Sequence, residues 1–324
     1  MEELEASNTV TSGSSTFSED MCLTVEQKLI RLIIPPLTFV AHKGQAGRIG
    51  IIGGSREYTG APYFAGISAL KTGADLCHVF CTSSAASVIK SYSPELIVHP
   101  VLDSCNDGTE FGALISKLHA LVIGPGLGRE ENTFSIMHQV VEKAKELQMP
   151  IVFDADSLFY INSHPELVEG YKKAVLTPNV VEFSRLYKAV IGADLGVLED
   201  LNMPVQALSQ KLGNVTIVCK GIDDIISDGD ILTMCKEKGS PRRCGGQGDL
   251  LSGSLGTMLH WAHMAHDQSE LVNFSNWRPN IIAAVGACML TRRCNYLAFQ
   301  KYSRSMTTTD MIVEIQLAFT SLFS

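Results

Sequence analysis

The sequence predicts an α/β chain: a mostly parallel sheet with helices on both faces. Three observations predict it. Short apolar runs alternate with segments of helical period along nearly the whole chain. Most of these runs stop in Gly-, Pro- or Asp-rich loops that open into the next helix, the order of repeated strand–helix units. Of the 324 residues, 45% are hydrophobic and 19% are charged, enough for a sizeable core. No internal repeat or linker divides the chain. Residues 23–324 are therefore expected to form one domain behind a short Ser/Thr/Glu-rich leader, residues 1–22.

In order, a helix is expected around Leu23–Ile34, ended by Pro35-Pro36. After Lys43-Gly44-x-x-Gly47-Arg48 comes a strand, Ile49–Ile52, stopping in Gly53-Gly54-Ser55. A strand ending in paired glycines has the shape of a phosphate loop, but the sequence has no G-x-x-x-x-G-K-[ST]. Pro62 suits the first turn of the next helix, and Gly73 its end. Asp75–Phe80 reads as a buried strand, 84–91 as a helix, 95–99 as a strand and 103–110 as a turn. Strand Leu121–Ile123 runs into Gly124-Pro125-Gly126-Leu127-Gly128-Arg129, whose glycine spacing does not fit a dinucleotide fingerprint. Helix 131–148 and strand Pro150–Phe153 follow, then Asp154-Ala155-Asp156. Strand Ala174–Leu176 ends in Thr177-Pro178-Asn179 before helix 180–190, a loop over 191–203 and a short helix at 204–212. Strand Val215–Cys219 leads to Lys220–Asp224, and Ser227-Asp228-Gly229-Asp230 is a good hairpin turn between two short strands. Helices at 279–299 and 309–322 close the chain.

Net charge is −8 with no basic stripe, which argues against nucleic acid. Nine cysteines without a C-x-x-C argue for reduced thiols rather than disulfides or zinc. The first twenty residues hold no Lys or Arg, so neither a signal nor a transit peptide is expected, and no run is long enough to span a membrane. A cytoplasmic location is the expectation.

The densest chemistry lies in Cys244-Gly245-Gly246-Gln247-Gly248-Asp249-Leu250-Leu251-Ser252-Gly253. Its glycines permit positive φ and close approach, and Leu250, Leu251, Leu255, Met258 and Leu259 have helical spacing. A tight loop thus opens directly into a helix whose first turn carries unpaired N–H groups, a natural anion site. An acid at that mouth either caps the helix or takes a proton from a hydroxyl while the helix end holds an anionic transition state.

Other clusters also follow strands and should meet at one sheet edge. Asp154 and Asp156, two apart, would share a face and reach magnesium through water, or cap the next helix. Asn179 and Glu182 either cap their helix or face the site. Arg242 and Arg243 either bind phosphate or are solvated. His260, His263 and His266 are three apart on one helix but lack a zinc signature.

Taken in order, Lys43-Gly44-x-x-Gly47-Arg48, Gly53-Gly54-Ser55, Tyr58–Pro62, Gly73–Leu76, Gly124–Gly128, Asp154–Asp156, Leu176–Phe183, Lys220–Asp224 and Gly245–Gly253 resemble the ATP-dependent NAD(P)H-hydrate dehydratases, a family of the ribokinase-like superfamily. The resemblance runs from about residue 25 to the C-terminus. It implies a central sheet of mainly parallel strands flanked by helices. It also implies repair of NADH and NADPH that have gained water across the nicotinamide 5,6 double bond. ATP, with Mg²⁺, would phosphorylate the 6-hydroxyl of the S epimer, and the ring nitrogen would then expel phosphate. By the same resemblance Asp249 is the catalytic base and also touches the hydrate. Gly245, Gly246, Gln247 and Gly248 bind the ATP phosphates. Gly239, Ser240, Pro241, Arg242, Arg243 and Cys244 line the nucleotide, as do Lys220, Gly221, Ile222, Asp223 and Asp224. Gly126 binds the hydrate, together with Asn179, Val180, Val181, Glu182, Phe183, Ser184, Arg185 and Leu186. Metal ligands stay open, with Asp154, Asp156 and Glu182 as candidates. Ser157 stands where the family pattern leads one to expect glycine. An NAD(P)HX epimerase would be a functional partner, and a homo-oligomer is possible. The rival readings are a small-molecule kinase of the same superfamily, acting on a hydroxymethylpyrimidine or a sugar, and a non-catalytic nucleotide-binding protein.

Overall fold

Strands that are apolar at every position, such as Ala120–Ile123, need cover on both sides, and the fold supplies it. The computed structural model describes residues 23–103, 109–196, 200–267 and 278–324. The expected leader lies outside the described residues, as do Cys22, Cys105 and much of the turn expected at 103–110.

Among the described residues nine strands form one sheet. They are β1 (Arg48–Ile52), β2 (Leu76–Cys81), β3 (Leu96–Pro100), β4 (Ala120–Ile123), β5 (Ile151–Phe153), β6 (Ala174–Leu176), β7 (Thr216–Cys219), β8 (Asp224–Ser227) and β9 (Leu232–Cys235). Their spatial order is β3-β2-β1-β4-β5-β6-β7-β8-β9. All pairs from β3 to β7 are parallel, while β7–β8 and β8–β9 pair antiparallel at the far edge.

Alternation along the strands splits the core in two. Ile49, Ile51 and Val122 join one buried cluster, while Ile52, Leu121 and Ile123 join the other. The first cluster is capped by α1 (Val25–Ile33), α2 (Gly60–Thr72) and two long helices, α3 (Gln247–Asp267) and α4 (Pro279–Tyr302). The second lies under α5 (Glu131–Glu146), α6 (Val180–Ile191) and α7 (Asn202–Lys211).

The helix α3 runs through the middle of its layer, with Leu250, Leu251, Leu255, Met258 and Leu259 all buried. Gly253 is required there, because a Cβ would sit 2.0 Å from the carbonyl oxygen of Ala65 on α2. This close crossing fixes where the first turn of α3 stands relative to the sheet.

Three elements differ from the sequence reading. A short helix, Thr109–Ile115, begins within the 103–110 stretch expected to turn. The C-terminal helix is broken at Glu314 into Thr308–Val313 and Ile315–Phe323. The glycine pairs after β1 and β4 do not form an open cradle; they pack on one another, with Gly54 N donating to Gly126 O at 3.0 Å.

Candidate active site

The carboxyl ends of β5, β6 and β7 lie side by side, so the residues that follow them meet. Asp154 follows β5, Thr177 follows β6 and Lys220 follows β7. Asp154 Oδ1 accepts from Thr177 Oγ1 and from Lys220 Nζ, both at 2.9 Å. Only 3% of the Asp154 side chain and 21% of Lys220 are exposed, so the pair is largely withdrawn from water. Burial alone would push the Lys220 ammonium down. The carboxylates of Asp154, Glu182 and Asp249 outweigh it and hold it above its ordinary value, so Lys220 stays charged.

The first turn of α3 stands over this pair. Gly246 caps the helix, its carbonyl accepting from Leu250 N at 3.0 Å, with φ at +91°. A Cβ at Gly246 would lie 2.8 Å from the Phe64 ring and 2.9 Å from Thr308 Oγ1. By helix geometry the N–H groups of Gln247, Gly248 and Asp249 have no carbonyl partner within α3. A Cβ on Gly248 would lie 3.4 Å from Lys220 Nζ, so the helix end and the buried cation border the same space.

Asp249 lies in that first turn. Burial pushes its carboxyl well above the ordinary range, and the charge of Asp154 adds to this. Lys220 opposes both and does not cancel them. The result is a buried carboxyl with a stronger hold on a proton than an exposed one, the direction that suits a general base.

The loop before α3 is clamped from behind. Thr308 Oγ1 donates to Gly245 O at 2.6 Å, and Asn295 Oδ1 accepts from Ser240 N at 2.5 Å. Arg292, also on α4, grips Asp224 through Nε at 2.6 Å and Nη2 at 2.7 Å. It donates to the carbonyls of Ile222 and Gly221 as well.

These pieces enclose a cavity of about 940 Å³, near the top of the range of roughly 300–1,000 Å³ usual for small-molecule sites. Of the expected nucleotide residues, Lys220 to Asp224, Gly239 to Pro241, Arg243, Cys244, Gly246, Gln247 and Gly248 line it. Arg242 and Gly245 do not. Arg242 instead donates to the carbonyls of Met306 and Arg243.

Of the expected hydrate residues, Asn179, Glu182 and Asp249 line the cavity. Asn179 Oδ1 accepts from the N–H groups of Val181 and Glu182, and Glu182 Oε2 accepts from Asn179 N at 2.8 Å, so the two also form a capping box. Burial raises the Glu182 carboxyl above its usual range, against the pull of Lys220. Phe183 and Leu186 are fully buried in the core, on the other side of α6. Val180 and Val181 are exposed, and neither they nor Ser184 line the cavity. Arg185 lines a smaller cavity next door. Gly126 packs against Tyr58, whose carbonyl oxygen would be 2.7 Å from a Cβ there.

Asp154 and Asp156 do not share a face, which corrects the period-two expectation. Ala155 between them takes φ +49°, ψ −118°, and that breaks the extended alternation. Asp156 turns to Arg129 Nε at 3.0 Å and Gly128 N at 3.1 Å. Ser157 is accommodated: its buried hydroxyl lies 2.8 Å from the carbonyls of Ile123 and Asp154. Among the described residues no three His, Cys, Asp or Glu converge to hold a metal, so the set Asp154, Asp156 and Glu182 is not assembled. His260 stacks on His119 and His263 Nε2 pairs with Asn280 Oδ1 at 2.9 Å, so both serve packing.

Sequence reasoning missed the Lys220–Asp154 pair and the clamping residues Arg292, Asn295 and Thr308. The signal that carries them is the strand order, which places residues 154 and 220 at one edge.

Residues 49–317 match the family model described as NAD(P)H-hydrate dehydratase. A rat ATP-dependent (S)-NAD(P)H-hydrate dehydratase is 58% identical over 92% of this chain and 85% of its own length. The human protein of that description is 57% identical over 91% of this chain and 84% of its own. Among solved structures, the ADP/ATP-dependent NAD(P)H-hydrate dehydratase of Bacillus subtilis, co-crystallised with ATP and Mg²⁺, superposes with a TM-score of 0.69. It covers 91% of this chain and 97% of that one at 20% identity, a likeness of fold. A Streptococcus mutans protein described as hypothetical gives 0.73, also at 20% identity, over 92% of this chain and 99% of its own.

Proposed function

The chain belongs to the NAD(P)H-hydrate dehydratase family, and from that premise we propose how its cavity carries out the reaction. The activity is ATP-dependent dehydration of the S epimer of NADH and NADPH hydrate. The observation that carries the assignment of roles is the meeting of three groups in one cavity: the acid Asp249, the free N–H groups of the first turn of α3, and the buried pair Lys220–Asp154.

Asp249 takes the proton of the 6-hydroxyl as its oxygen attacks the γ-phosphorus. The γ-phosphoryl group passes to that oxygen and ADP departs. The N–H groups of Gln247 and Gly248 hold the charge that builds on the transferring group, as positioning and charge stabilisation dominate such transfers. Phosphate is now a good leaving group. The ring nitrogen lone pair expels it, C5 sheds a proton, and the dihydropyridine is restored. Atoms balance as hydrate plus ATP going to reduced coenzyme, ADP and phosphate.

Magnesium fits this chain as a passenger on the triphosphate. Such an ion needs one or two carboxylates besides phosphate oxygens and waters. Glu182 and the Oδ2 of Asp154, whose Oδ1 takes Thr177 and Lys220, are the two cavity carboxylates beside Lys220 that would serve, Asp249 being kept as the base. When bound, the ion would neutralise charge on the β- and γ-phosphates. Lys220, held charged by its neighbours, offsets Asp154 so that the site is not closed to a polyanion.

Free buried thiols at Cys77, Cys81, Cys219, Cys235, Cys288 and Cys294 support a reducing, cytoplasmic setting. Among the described residues no helix is long and apolar enough to cross a membrane. The hydrate forms in two epimers, so an epimerase is the natural functional partner of an enzyme acting on one. Residues 23–324 are proposed as one catalytic domain behind residues 1–22.

The test is the dihydronicotinamide absorbance of purified protein given NADH hydrate, Mg²⁺ and ATP. The hydrate lacks that chromophore. An ATP-dependent rise with release of phosphate is expected. A stable phosphorylated hydrate without the rise would turn the assignment to a kinase.

A further inference from the structure

Beside the main cavity lies a second, of about 100 Å³, lined by Arg129, Ala155, Asp156, Phe159, Asn162, Glu182 and Arg185, with Leu158 at its base. Ala155 and Glu182 line both, so the two spaces adjoin. We infer that this side cavity is a phosphate subsite for the dinucleotide hydrate, with Arg129 and Arg185 as its specificity residues. The inference rests on the dehydratase reading above.

Four observations carry it. First, the volume suits a phosphate group and excludes an adenosine. Second, two guanidinium groups border it, the side chain that recognises phosphate with paired donors. Arg185 lies one turn after Glu182 on α6, and the two attract without any hydrogen bond tying the guanidinium to another described residue. Third, Arg129 is held in place without being used up. Its Nε bonds Asp156 Oδ1 at 3.0 Å and its guanidinium carbon lies 4.1 Å above the Phe159 ring. The plane is fixed while the terminal nitrogens keep their donors. Fourth, Asn162 Oδ1 is buried with no hydrogen-bond partner. An amide left in that state can turn either a donor or an acceptor toward a ligand.

The charges agree. Asp156 and Glu182 balance the two arginines, so an entering anion finds the Arg129 guanidinium held by Asp156 and Phe159 and the Arg185 guanidinium untied, neither committed in full. The substrate supplies two kinds of phosphate. The diphosphate bridge is common to both hydrates, while the 2′-phosphate belongs to the NADPH form alone.

The experiment compares wild type with Arg129→Ala and Arg185→Ala, using NADH hydrate and NADPH hydrate at saturating ATP. Charge-assisted hydrogen bonds of this kind correspond to about tenfold or more in affinity each. Each variant is expected to raise KM for the hydrate by about that factor, with kcat within about twofold and KM for ATP unchanged. An equal rise for both hydrates places the diphosphate in the cavity, and a rise confined to NADPH hydrate places the 2′-phosphate there. Arg129→Lys, which keeps charge but loses the fork, should recover part of the loss. Unchanged KM for both hydrates in both folded variants, or a rise confined to ATP, overturns the subsite. Absence of turnover by the wild type would instead remove the dehydratase reading itself.

Discussion

Asp249 stands in conflicting surroundings: burial and Asp154 disfavour its charge, while Lys220 favours it. Three predictions follow from that conflict. Asp249→Asn keeps the shape and loses the base, so kcat/KM should fall by about 10²–10⁴-fold, measured with NADH hydrate and ATP. The same change should raise the melting temperature near neutral pH. The sign is set by the raised carboxyl: the folded state resists ionising a group that the unfolded chain ionises freely, so stability is lost as pH rises from the unfolded value through the folded one. Asparagine removes that loss, and an unchanged or lower Tm would contradict it. The rate of the wild type should fall as pH drops below the raised value, because the base is then protonated; Asp249→Asn should flatten that limb. Asp249, Gln247 and Gly248 were legible as one linear motif, since glycines and an acid before a helical run have few uses. The Lys220–Asp154 pair was not, because its partners are 66 residues apart and meet only through the order of β5, β6 and β7. Asp156 misled for a local reason: one residue in an unusual backbone conformation between the aspartates reverses the face it occupies.

At the scale of elements, α4 is the frame of the nucleotide side. Arg292 binds the Asp224 carboxylate with two bonds and two backbone carbonyls besides, while Asn295 holds Ser240 one turn further along. Arg292→Lys preserves the charge but cannot reproduce the fork. It should cost about 1–3 kcal/mol of stability, less than outright loss of a partner in a buried pair. KM for ATP should rise more than KM for the hydrate; the reverse order would place the clamp on the other substrate. The strands and long helices were readable from periodicity, and the hairpin from Ser227–Asp230. The break at Glu314 was not readable, because residues 309–322 carry one continuous helical pattern. Its cause is tertiary: the buried Glu314 pairs with Lys301 at 2.6 Å, while Thr308 is drawn onto the loop before α3. Phe183 and Leu186 show the converse limit. A motif matched residue by residue includes positions whose side chains serve the core.

Across the whole molecule the two ends of the sheet carry opposite kinds of burial. The carboxyl ends hold charged groups kept in tension for chemistry. The amino ends hold neutral histidines: His119 accepts from Arg48 N at the start of β1 and stacks on His260, and His263 pairs with Asn280, which donates to Thr216 at the start of β7. Burial lowers both His260 and His263 from 6.5 to about 4. In the unfolded chain each binds a proton below 6.5, while the folded chain resists it until about pH 4. Their contribution is therefore fully present above the unfolded value and is lost as pH falls toward the folded one, on the order of 3 kcal/mol for each. Asp249 acts in the opposite sense over part of this range, so the comparison must be between variants. His263→Gln keeps a donor for Asn280 and removes the titration. Its melting temperature should change less between pH 6.5 and 4 than that of the wild type. Parallel curves would mean that acid unfolding begins at the carboxyl ends of the strands, in the catalytic cavity, rather than beneath the sheet.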